Sequence, residues 1–180
     1  MQSAETLQAE RPTGFLFSLR QLIADAICPE LRERRERAER EANFDSLTGL
    51  ASRRAFDLAL PRAEGDPATA VVVYDVNNFK AVNDAAGHVA GDAALREVAR
   101  AIFTAASAHG FGARVFRTGG DEFSVLCSVE AAESIRNFSE VLFGVRRVAG
   151  VSVSLSGTFA GSYYEADILL QARKAEAKGA

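Results

Sequence analysis

The sequence predicts an α+β fold, in which helices pack against an antiparallel sheet. The apolar run over residues 71–74 is typical of a strand that is buried on both faces. A Gly-Gly pair at residues 119–120 lies between two further apolar runs, residues 113–116 and 123–126, which predicts a tight β-hairpin. Apolar residues recur at helical spacing over residues 95–106. Mixed helices and strands with a clear hairpin favour the α+β class.

The first 43 residues predict a helical extension (residues 1–43) that precedes a domain over residues 44–180. Apolar residues recur at helical spacing over residues 16–27, and Pro29 is expected to end this helix and begin the next one. Residues 30–41 are almost all glutamate and arginine, with a thin apolar seam. This second helix is either a solvated helix or a signalling helix that pairs with its copy in a dimer.

Three further elements are predicted after the hairpin. Residues 130–143 have helical periodicity, residues 151–155 alternate as a strand, and residues 165–178 form a last helix. Lys174 and Lys178 are four residues apart, so they share one face of that helix.

Composition and cysteine usage favour a cytoplasmic location. The net charge of −3 does not favour binding to nucleic acid. Cys28 and Cys127 lie far apart and suggest no disulfide framework, and Cys127 continues a strand as a small core residue. The apolar stretch over residues 15–27 is interrupted by charges and is too short to span a bilayer, and the N-terminus has no signal-peptide pattern. We therefore expect no membrane span.

Carboxylates stand at the ends of the predicted strands. Asp75 ends the buried strand, where a carboxylate must be solvated, paired or bound to metal. Asp121 and Glu122 follow the two glycines, which place both acids at the hairpin tip and leave the backbone open to a bulky ligand. A divalent cation suits such oxygen ligands, and a cation suits phosphate. Asp92 alone would be an ordinary N-cap of the helix that opens there.

Four motifs follow one another along residues 45–178. They are Asp-x-Leu-Thr-Gly-Leu-x-x-Arg-Arg from Asp45, Asp75 with Phe79-Lys80 and Asn83-Asp84, Gly-His-x-x-Gly-Asp at residues 87–92, and Arg-Thr-Gly-Gly-Asp-Glu-Phe at residues 117–123. Together they resemble the GGDEF domain of diguanylate cyclases. The resemblance implies a mostly antiparallel, five-stranded sheet packed by helices, like a polymerase palm or nucleotidyl cyclase. It also implies that two GTP molecules are joined into cyclic di-GMP with release of two pyrophosphates.

The resemblance implies a metal-dependent mechanism. Asp75 and Asp121, helped by the backbone carbonyl of Val76, would hold two Mg²⁺ or Mn²⁺ ions per active site. Either Asp121 or Glu122 would take the proton from the 3′-hydroxyl that attacks the α-phosphate. Lys80 would stabilise the transition state, and its alternative is a surface lysine.

The resemblance also implies the substrate contacts. Backbone N–H groups near Asn78 and Phe79 would hold the β- and γ-phosphates. Asn83 and Asp92 would read guanine, with His88 nearby. A carboxylate accepts from guanine N1–H and the exocyclic amine together, whereas adenine offers no such donor pair.

The C-terminal part departs most from the family pattern. Lys174 and Lys178 match phosphate contacts, although the second is usually arginine, and their alternative is a basic helix end that complements the dipole. Asn77 stands where a second aspartate is frequent, which lowers the negative charge near the metals. Ser52, Ser156, Gln171 and Arg173 stand where asparagine, glycine, tyrosine and alanine are usual.

The inhibitory product site of many family members is expected to be missing. That site has an Arg-x-x-Asp motif upstream of the signature. Gly110 and Ala113 occupy these positions here, and neither can form an ion pair or a bidentate contact with guanine.

Three functions fit these residues. The chain is an active diguanylate cyclase, a module that binds GTP or cyclic di-GMP without turnover, or a module that only transmits dimerisation. The retained acidic, lysine and guanine-reading positions favour the first. Because the product is two-fold symmetric and each domain has residues for one GTP, catalysis would need a face-to-face homodimer.

Overall fold

The structure is a computed structural model that describes residues 29–179, except for the side chains of the last two of these residues. The chain divides into two compact units, Met1–Arg40 and Glu41–Ala180. The helix predicted for residues 16–27 lies outside the described residues, as does Cys28.

Helix α1, Pro29–Asn43, is the described part of the predicted extension. It begins at Pro29 as predicted, since proline fits a helix start where its missing N–H is not needed. None of its residues is buried, and Arg32 forms an ion pair with Glu36 one turn later at 2.8 Å. Pairing of this helix with a second copy stays a prediction.

The rest of the described chain forms helices on a five-stranded sheet. The helices are α2 Arg53–Glu64, α3 Phe79–His109, α4 Val129–Phe143 and α5 Tyr163–Gly179. The strands are β1 Thr69–Asn77, β2 Arg114–Arg117, β3 Glu122–Ser128, β4 Arg146–Val148 and β5 Val151–Ala160. All pairs are antiparallel, in the order β2-β3-β1-β5-β4. The predicted fold class is confirmed. No helix within residues 29–179 is long and apolar enough to cross a membrane.

Strand β1 lies at the centre of the sheet and is buried on both faces, as predicted. Val72 and Val76 belong to the larger core, which packs against α3 and α4. Val71 and Val73 belong to a second core against α2 and α5. Asp75 continues the second set, because side chains alternate along a strand. Its carboxylate is therefore directed toward the face that α5 covers.

Tyr74 shows how tightly the larger core is packed. Its ring is almost fully buried, and its hydroxyl lies 3.1 Å from the Ser139 hydroxyl on α4. Gly157 faces it across the β1–β5 ladder. A Cβ at position 157 would lie 2.6 Å from the tyrosine ring. Glycine is therefore required at this position by the space that the ring takes.

Helix α3 differs from the sequence prediction at its start. It begins at Phe79, directly after Asn78, and its helical geometry breaks only at Gly87, where φ is 79°. Asp92 lies inside the helix, so its interpretation as an ordinary N-cap is wrong. Gly87 separates two helical segments, and the second begins directly after this glycine, where the sequence predicts that a helix opens.

Cys127 lies in β3 and is buried, as predicted for a small core residue. Burial raises the pKa of its thiol to about 11. The thiolate is therefore scarce at neutral pH, and the residue serves as an apolar side chain.

Candidate active site

A cleft of about 470 Å³ opens where β1 ends beside the β2–β3 hairpin. The N–H of Val76 donates to the carbonyl oxygen of Asp121 at 3.1 Å, so strand end and hairpin are adjacent. The cleft is lined by Asp75, Val76, Asn77, Asn78, Phe79, Lys80, Asp121, Ser154, Ser156, Lys174 and Ala177. It brings together seven of the predicted site residues from three separate segments of the chain.

The hairpin differs in detail from the predicted two-residue turn. The N–H groups of Thr118 and Gly119 both donate to the carbonyl of Glu122, at 2.9 and 3.2 Å. The loop therefore holds Asp121, whereas Glu122 is the first residue of β3 and not at the tip. Neither Gly119 nor Gly120 has a positive φ, so the glycines are not needed here for the left-handed backbone of a Gly-Gly hairpin turn.

The two glycines differ in the space around them. A Cβ at Gly119 would lie 2.4 Å from the Glu122 Oε2. A Cβ at Gly120 would meet no described atom within 4 Å, so this glycine faces open space. The first glycine accommodates the glutamate, whereas no described neighbour requires a glycine at position 120.

The loop that carries Asp121 is tied to the chain segment after α1. Arg117 donates through Nη1 to both carboxylate oxygens of Asp45 at 3.1 Å, and through Nη2 to the carbonyl of Gly120 at 2.6 Å. Asp45 also accepts from the N–H and hydroxyl of Thr48. Although burial by itself raises the pKa of Asp45, the hydrogen bonds from Thr48 and Arg117 outweigh it and lower that pKa.

The carboxylates of the site are close enough to perturb one another. Burial and then the charge of Asp75 raise the pKa of Asp121. Burial and then the charges of Asp121 and Asp75 raise the pKa of Glu122. Lys174 approaches Asp75 from α5, with Nζ 2.6 Å from Oδ1. The site thus concentrates negative charge, which the Lys174 ammonium group partly balances.

Glu122 lies beside the cleft rather than in it. It faces Asp75 across the β1–β3 ladder, so both side chains lie on the α5 side of the sheet. Together with Tyr163 and Asp167 it lines a smaller, nearly closed space under α5. Only Asp121 of the two hairpin acids lines the large cleft.

The turn after β1 shapes the floor of the cleft. Asn78 has a positive φ of 62°, which asparagine tolerates better than most residues, and its amide donates to the carbonyl of Ser152 at 2.8 Å. The Asn77 amide donates to the hydroxyls of Ser154 and Ser156, both at 2.8 Å. Neutral Asn77 is therefore fixed by β5. The residues Ser154 and Ser156 were not predicted as part of the site, although they follow the two-residue period of a strand.

The predicted guanine-reading residues lie on α3, next to the cleft. The backbone at Gly91 packs so closely on Asn83 that a Cβ there would lie 2.0 Å from the amide oxygen. Asn83 Oδ1 is buried without a hydrogen-bond partner among the described residues. Asp92 is half-buried, and His88 is exposed. The structure thus leaves an unsatisfied acceptor at this end of the site, and such groups call for a partner.

Lys178 and Gly110 complete the set of predicted positions. The Lys178 side chain lies outside the described part of the structure, so its contact with phosphate stays a prediction. Gly110 is the C-cap of α3, and a Cβ there would lie 2.7 Å from Ile135 and 2.8 Å from Ala113. The packing leaves no room for a side chain at position 110.

Comparison with known proteins finds the family that the motifs resemble. The family model described as diguanylate cyclase, GGDEF domain, matches residues 42–152. Diguanylate cyclase VdcA of Vibrio cholerae is 32% identical over 138 residues, which are 72% of this chain and 40% of VdcA. Cyclic di-GMP phosphodiesterase PdeB of Shewanella oneidensis is 43% identical over 91 residues, which are 49% of this chain and 10% of PdeB.

A solved structure extends the likeness beyond the matched region. The coiled coil and GGDEF domain of DgcB from Caulobacter crescentus, in complex with c-di-GMP, aligns with a TM-score of 0.69 and 28% identity. The alignment covers 89% of this chain and 95% of that one, whereas the chain spans less than half of VdcA and PdeB. The chain belongs to the GGDEF domain family.

Proposed function

We propose that the chain is a diguanylate cyclase, which condenses two GTP molecules into cyclic di-GMP and releases two pyrophosphates. The observation that carries the proposal is the convergence of Asp75 and Asp121 with Lys80 and Lys174 on one cleft. Paired carboxylates suit divalent cations, and lysines suit a triphosphate. The backbone supports this arrangement, because the β1–β3 ladder positions Asp75 and the Val76 N–H donates to the carbonyl of Asp121.

The residues at the cleft fit a magnesium or manganese site. Asp75, Asp121 and the carbonyl of Val76 are hard oxygen donors, and the two carboxylates are near enough for one to raise the pKa of the other. The Lys174 ammonium group forms an ion pair with Asp75 and so shows that this carboxylate accepts a positive counterion. Within residues 29–179 no group of three or more acidic, histidine or cysteine side chains is arranged for a metal, so substrate oxygens would complete the shell. Such ions would supply Lewis-acid stabilisation of the charge on the reacting phosphates.

The chemical step is an in-line displacement at the α-phosphorus. The ribose 3′-oxygen forms a new P–O bond, the bond to the bridging oxygen breaks, and pyrophosphate leaves with that electron pair. The proton of the 3′-hydroxyl goes to a carboxylate. Of the two candidates, Asp121 lines the cleft and Glu122 lies under α5, which favours Asp121 as the base.

The lysines and the Asn78 turn suit the leaving group. Lys80 is the second residue of α3, and its exposed side chain lines the cleft. The N-terminus of a helix favours negative charge, and its first N–H groups have no partner inside the helix. The β- and γ-phosphates would lie between this helix start and Lys174.

Guanine specificity is assigned to Asn83 and Asp92. The buried, unpaired Asn83 oxygen is an acceptor without a partner, which a base N–H would satisfy. We expect Asp92→Ser to reduce the preference for GTP over ATP by about 10- to 100-fold, since the carboxylate that accepts from the guanine N–H groups is lost. Competition between the two nucleotides in one reaction measures this ratio. An unchanged ratio would remove Asp92 from base reading.

The decisive experiment is incubation of the purified chain with GTP and Mg²⁺ or Mn²⁺, followed by chromatography of the nucleotides. We expect cyclic di-GMP from the wild type and none from Asp121→Asn. Glu133→Gln, which neutralises an exposed carboxylate on α4, serves as the matched control and should turn over normally. Recovery of GTP alone, where a known cyclase turns over, would contradict the proposal.

Catalysis is proposed to occur in a homodimer. One cleft has residues for one GTP, and a two-fold symmetric product requires two clefts that face each other. The specific activity of the full chain should therefore fall steeply on dilution from micromolar to nanomolar concentration. Constant specific activity over this range would argue against a dimer that dissociates there.

The second candidate is a domain that binds GTP or cyclic di-GMP without turnover. Neutral Asn77 beside the proposed metal ligands favours it, because the second acid that many relatives have is missing. PdeB, with 43% identity to the matched region, is also named as a phosphodiesterase. Saturable GTP binding without product, measured on the same preparation, would select this reading.

A further inference from the structure

The C-terminal half of α5 is held differently from its first half. Ala166 and Leu170 are buried in the second core and anchor the first half. From residue 171 to residue 177, no residue of the helix is buried. Two polar contacts hold this segment, one made by Arg173 and one by Lys174. The helix end that carries a cleft lysine is therefore held by ionic contacts rather than by apolar burial.

Arg173 reaches an acid of another helix. It donates through Nη1 to Glu140 Oε1 at 2.6 Å and through Nη2 to Glu140 Oε2 at 3.2 Å. Arg173 Nη1 also donates to the carbonyl of Gly157 in β5. The N–H of Gly157 in turn donates to Glu140 Oε1 at 2.7 Å. These four hydrogen bonds join α4, β5 and α5 at one point.

The contact lies at an open edge of the sheet. Strand β4 pairs with β5 only over residues 151–153, so the N–H and C=O of Gly157 are directed away from β1 with no strand beside them. Backbone groups at such an edge need partners. Glu140 and Arg173 supply the acceptor and the donor. Alanine, which is usual at position 173 in the family, has no side-chain donor for the Gly157 carbonyl or for Glu140.

This contact matters for the proposed function because Lys174 has two possible partners. In the structure its ammonium lies on Asp75. When it turns to the triphosphate, the Asp75 contact is lost, and the Arg173 contact remains to hold the helix end. We propose that Arg173 and Glu140 are positioning residues, which keep this half of α5 in place so that Lys174 contacts the phosphates of bound GTP. The inference rests on the proposed function.

The pair is suited to such a role by its geometry. Glu140 is only 19% exposed, and a forked, two-point contact between guanidinium and carboxylate fixes direction as well as distance. Arg136 approaches Glu140 as well, at 3.5 Å, so the acid keeps one cation when Arg173 is removed. Removal of Arg173 should therefore loosen the helix end without unfolding the domain.

The test compares a triphosphate with a monophosphate. Isothermal titration of the full chain uses Mg²⁺ with an α,β-methylene analogue of GTP, whose P–C–P bridge the enzyme cannot break, and separately uses GMP. We expect Arg173→Ala to weaken binding of the analogue by about 5-fold and to leave GMP binding unchanged, because only the phosphate end is displaced. Arg173→Lys should recover part of the loss, since lysine restores charge but not the fork.

Two further variants complete the design. Glu140→Gln should behave like Arg173→Ala, and both should speed amide hydrogen exchange over residues 171–177. Arg96→Ala, which removes an exposed arginine on α3, should bind as the wild type does. Equal losses for the analogue and GMP, or no loss for either, would overturn the positioning role while the proposed function stands. A wild type that binds neither nucleotide would overturn the proposed function and this inference together.

Discussion

The two ends of the cleft are built in different ways. At the acidic end, Asp75 and Asp121 are placed by the main chain, through the β1–β3 ladder and the Val76–Asp121 hydrogen bond. At the lysine end, Lys174 projects from a helix segment in which no residue is buried, and side-chain contacts hold that segment. Backbone ladders fix positions cooperatively, whereas a few side-chain contacts near the end of a helix can open one at a time.

This difference predicts a division of labour. Groups that act on the reacting atoms need fixed geometry, because small displacements are costly in rate. Groups that bind phosphate can adjust as substrate enters and pyrophosphate leaves. Substitutions at the acidic end should therefore affect kcat, and substitutions at the lysine end should affect KM for GTP.

The largest expected effect is at Asp75. Asp75→Asn keeps the shape of the side chain but removes a proposed metal ligand, so kcat should fall by about 1,000-fold or more. Initial rates of cyclic di-GMP formation measure the loss, and circular dichroism checks that the fold remains. Activity of Asp75→Asn within 10-fold of wild type would contradict the proposed difference between the two ends of the cleft, because Asp75 would then not act on the reacting atoms.

Lys174→Met should have a smaller and different effect. The substitution keeps the apolar stem and removes the charge, so KM for GTP should rise by about 10-fold while kcat changes less. Steady-state kinetics at saturating Mg²⁺ separate the two constants. A large fall in kcat with unchanged KM would place Lys174 among the reacting groups instead.

Arg117→Ala should weaken the attachment of the loop that carries Asp121, although Arg117 itself does not line the cleft. Loss of the bonds to Asp45 and Gly120 should lower the free energy of unfolding by about 1–3 kcal/mol at pH 7, because both ion-pair partners are largely buried. The folded pKa of Asp45 is lowered, so this stability is present at neutral pH and is lost as pH falls through that pKa. Urea titrations at pH 7 and at a series of pH values below 3.8, the ordinary pKa of aspartate, should therefore show a narrowing difference in unfolding free energy between variant and wild type. If the difference in unfolding free energy did not change with pH, the ion pair with Asp45 would not be the source of the stability that Arg117 contributes.

The smallest effect concerns the stability of the empty site. The pKa of Asp121 is raised in the folded state, so its ionised form opposes folding at neutral pH. Asp121→Asn should raise Tm by a few degrees in EDTA, and the gain should disappear as pH falls and the wild-type carboxyl becomes protonated. Mn²⁺ should stabilise the wild type and not the variant, since ligand binding to the folded state raises Tm. Thermal unfolding with and without Mn²⁺ checks both points, and equal stabilisation of the two proteins would contradict the metal assignment.

The elements that the sequence predicted well are those with a local cause. The apolar run of β1 and the period of α5 are visible without any partner, and the hairpin follows from the two apolar runs on either side of the loop. The prediction that Asp92 is an N-cap is wrong because the second helical segment begins directly after Gly87, so Asp92 already lies inside it.

What the sequence did not predict depends on distant contacts. Strand β4 has three residues, too few for a period to be visible. The Arg173–Glu140 contact joins residues 33 apart, and nothing near either residue marks the other. The site itself was predicted from motifs, but which hairpin acid lines the cleft depended on the true loop length.

The packing of Tyr74 on Gly157 limits the order in which these two positions could have changed during divergence. A smaller residue at 74 leaves a cavity, which costs about 2–5 kcal/mol but can be carried by a stable domain. A side chain at 157 while the tyrosine is present would overlap its ring at 2.6 Å. A lineage that exchanges this tyrosine–glycine pair for two residues of middle size must therefore shorten position 74 first. Reconstructed ancestors should contain the cavity and never the overlap.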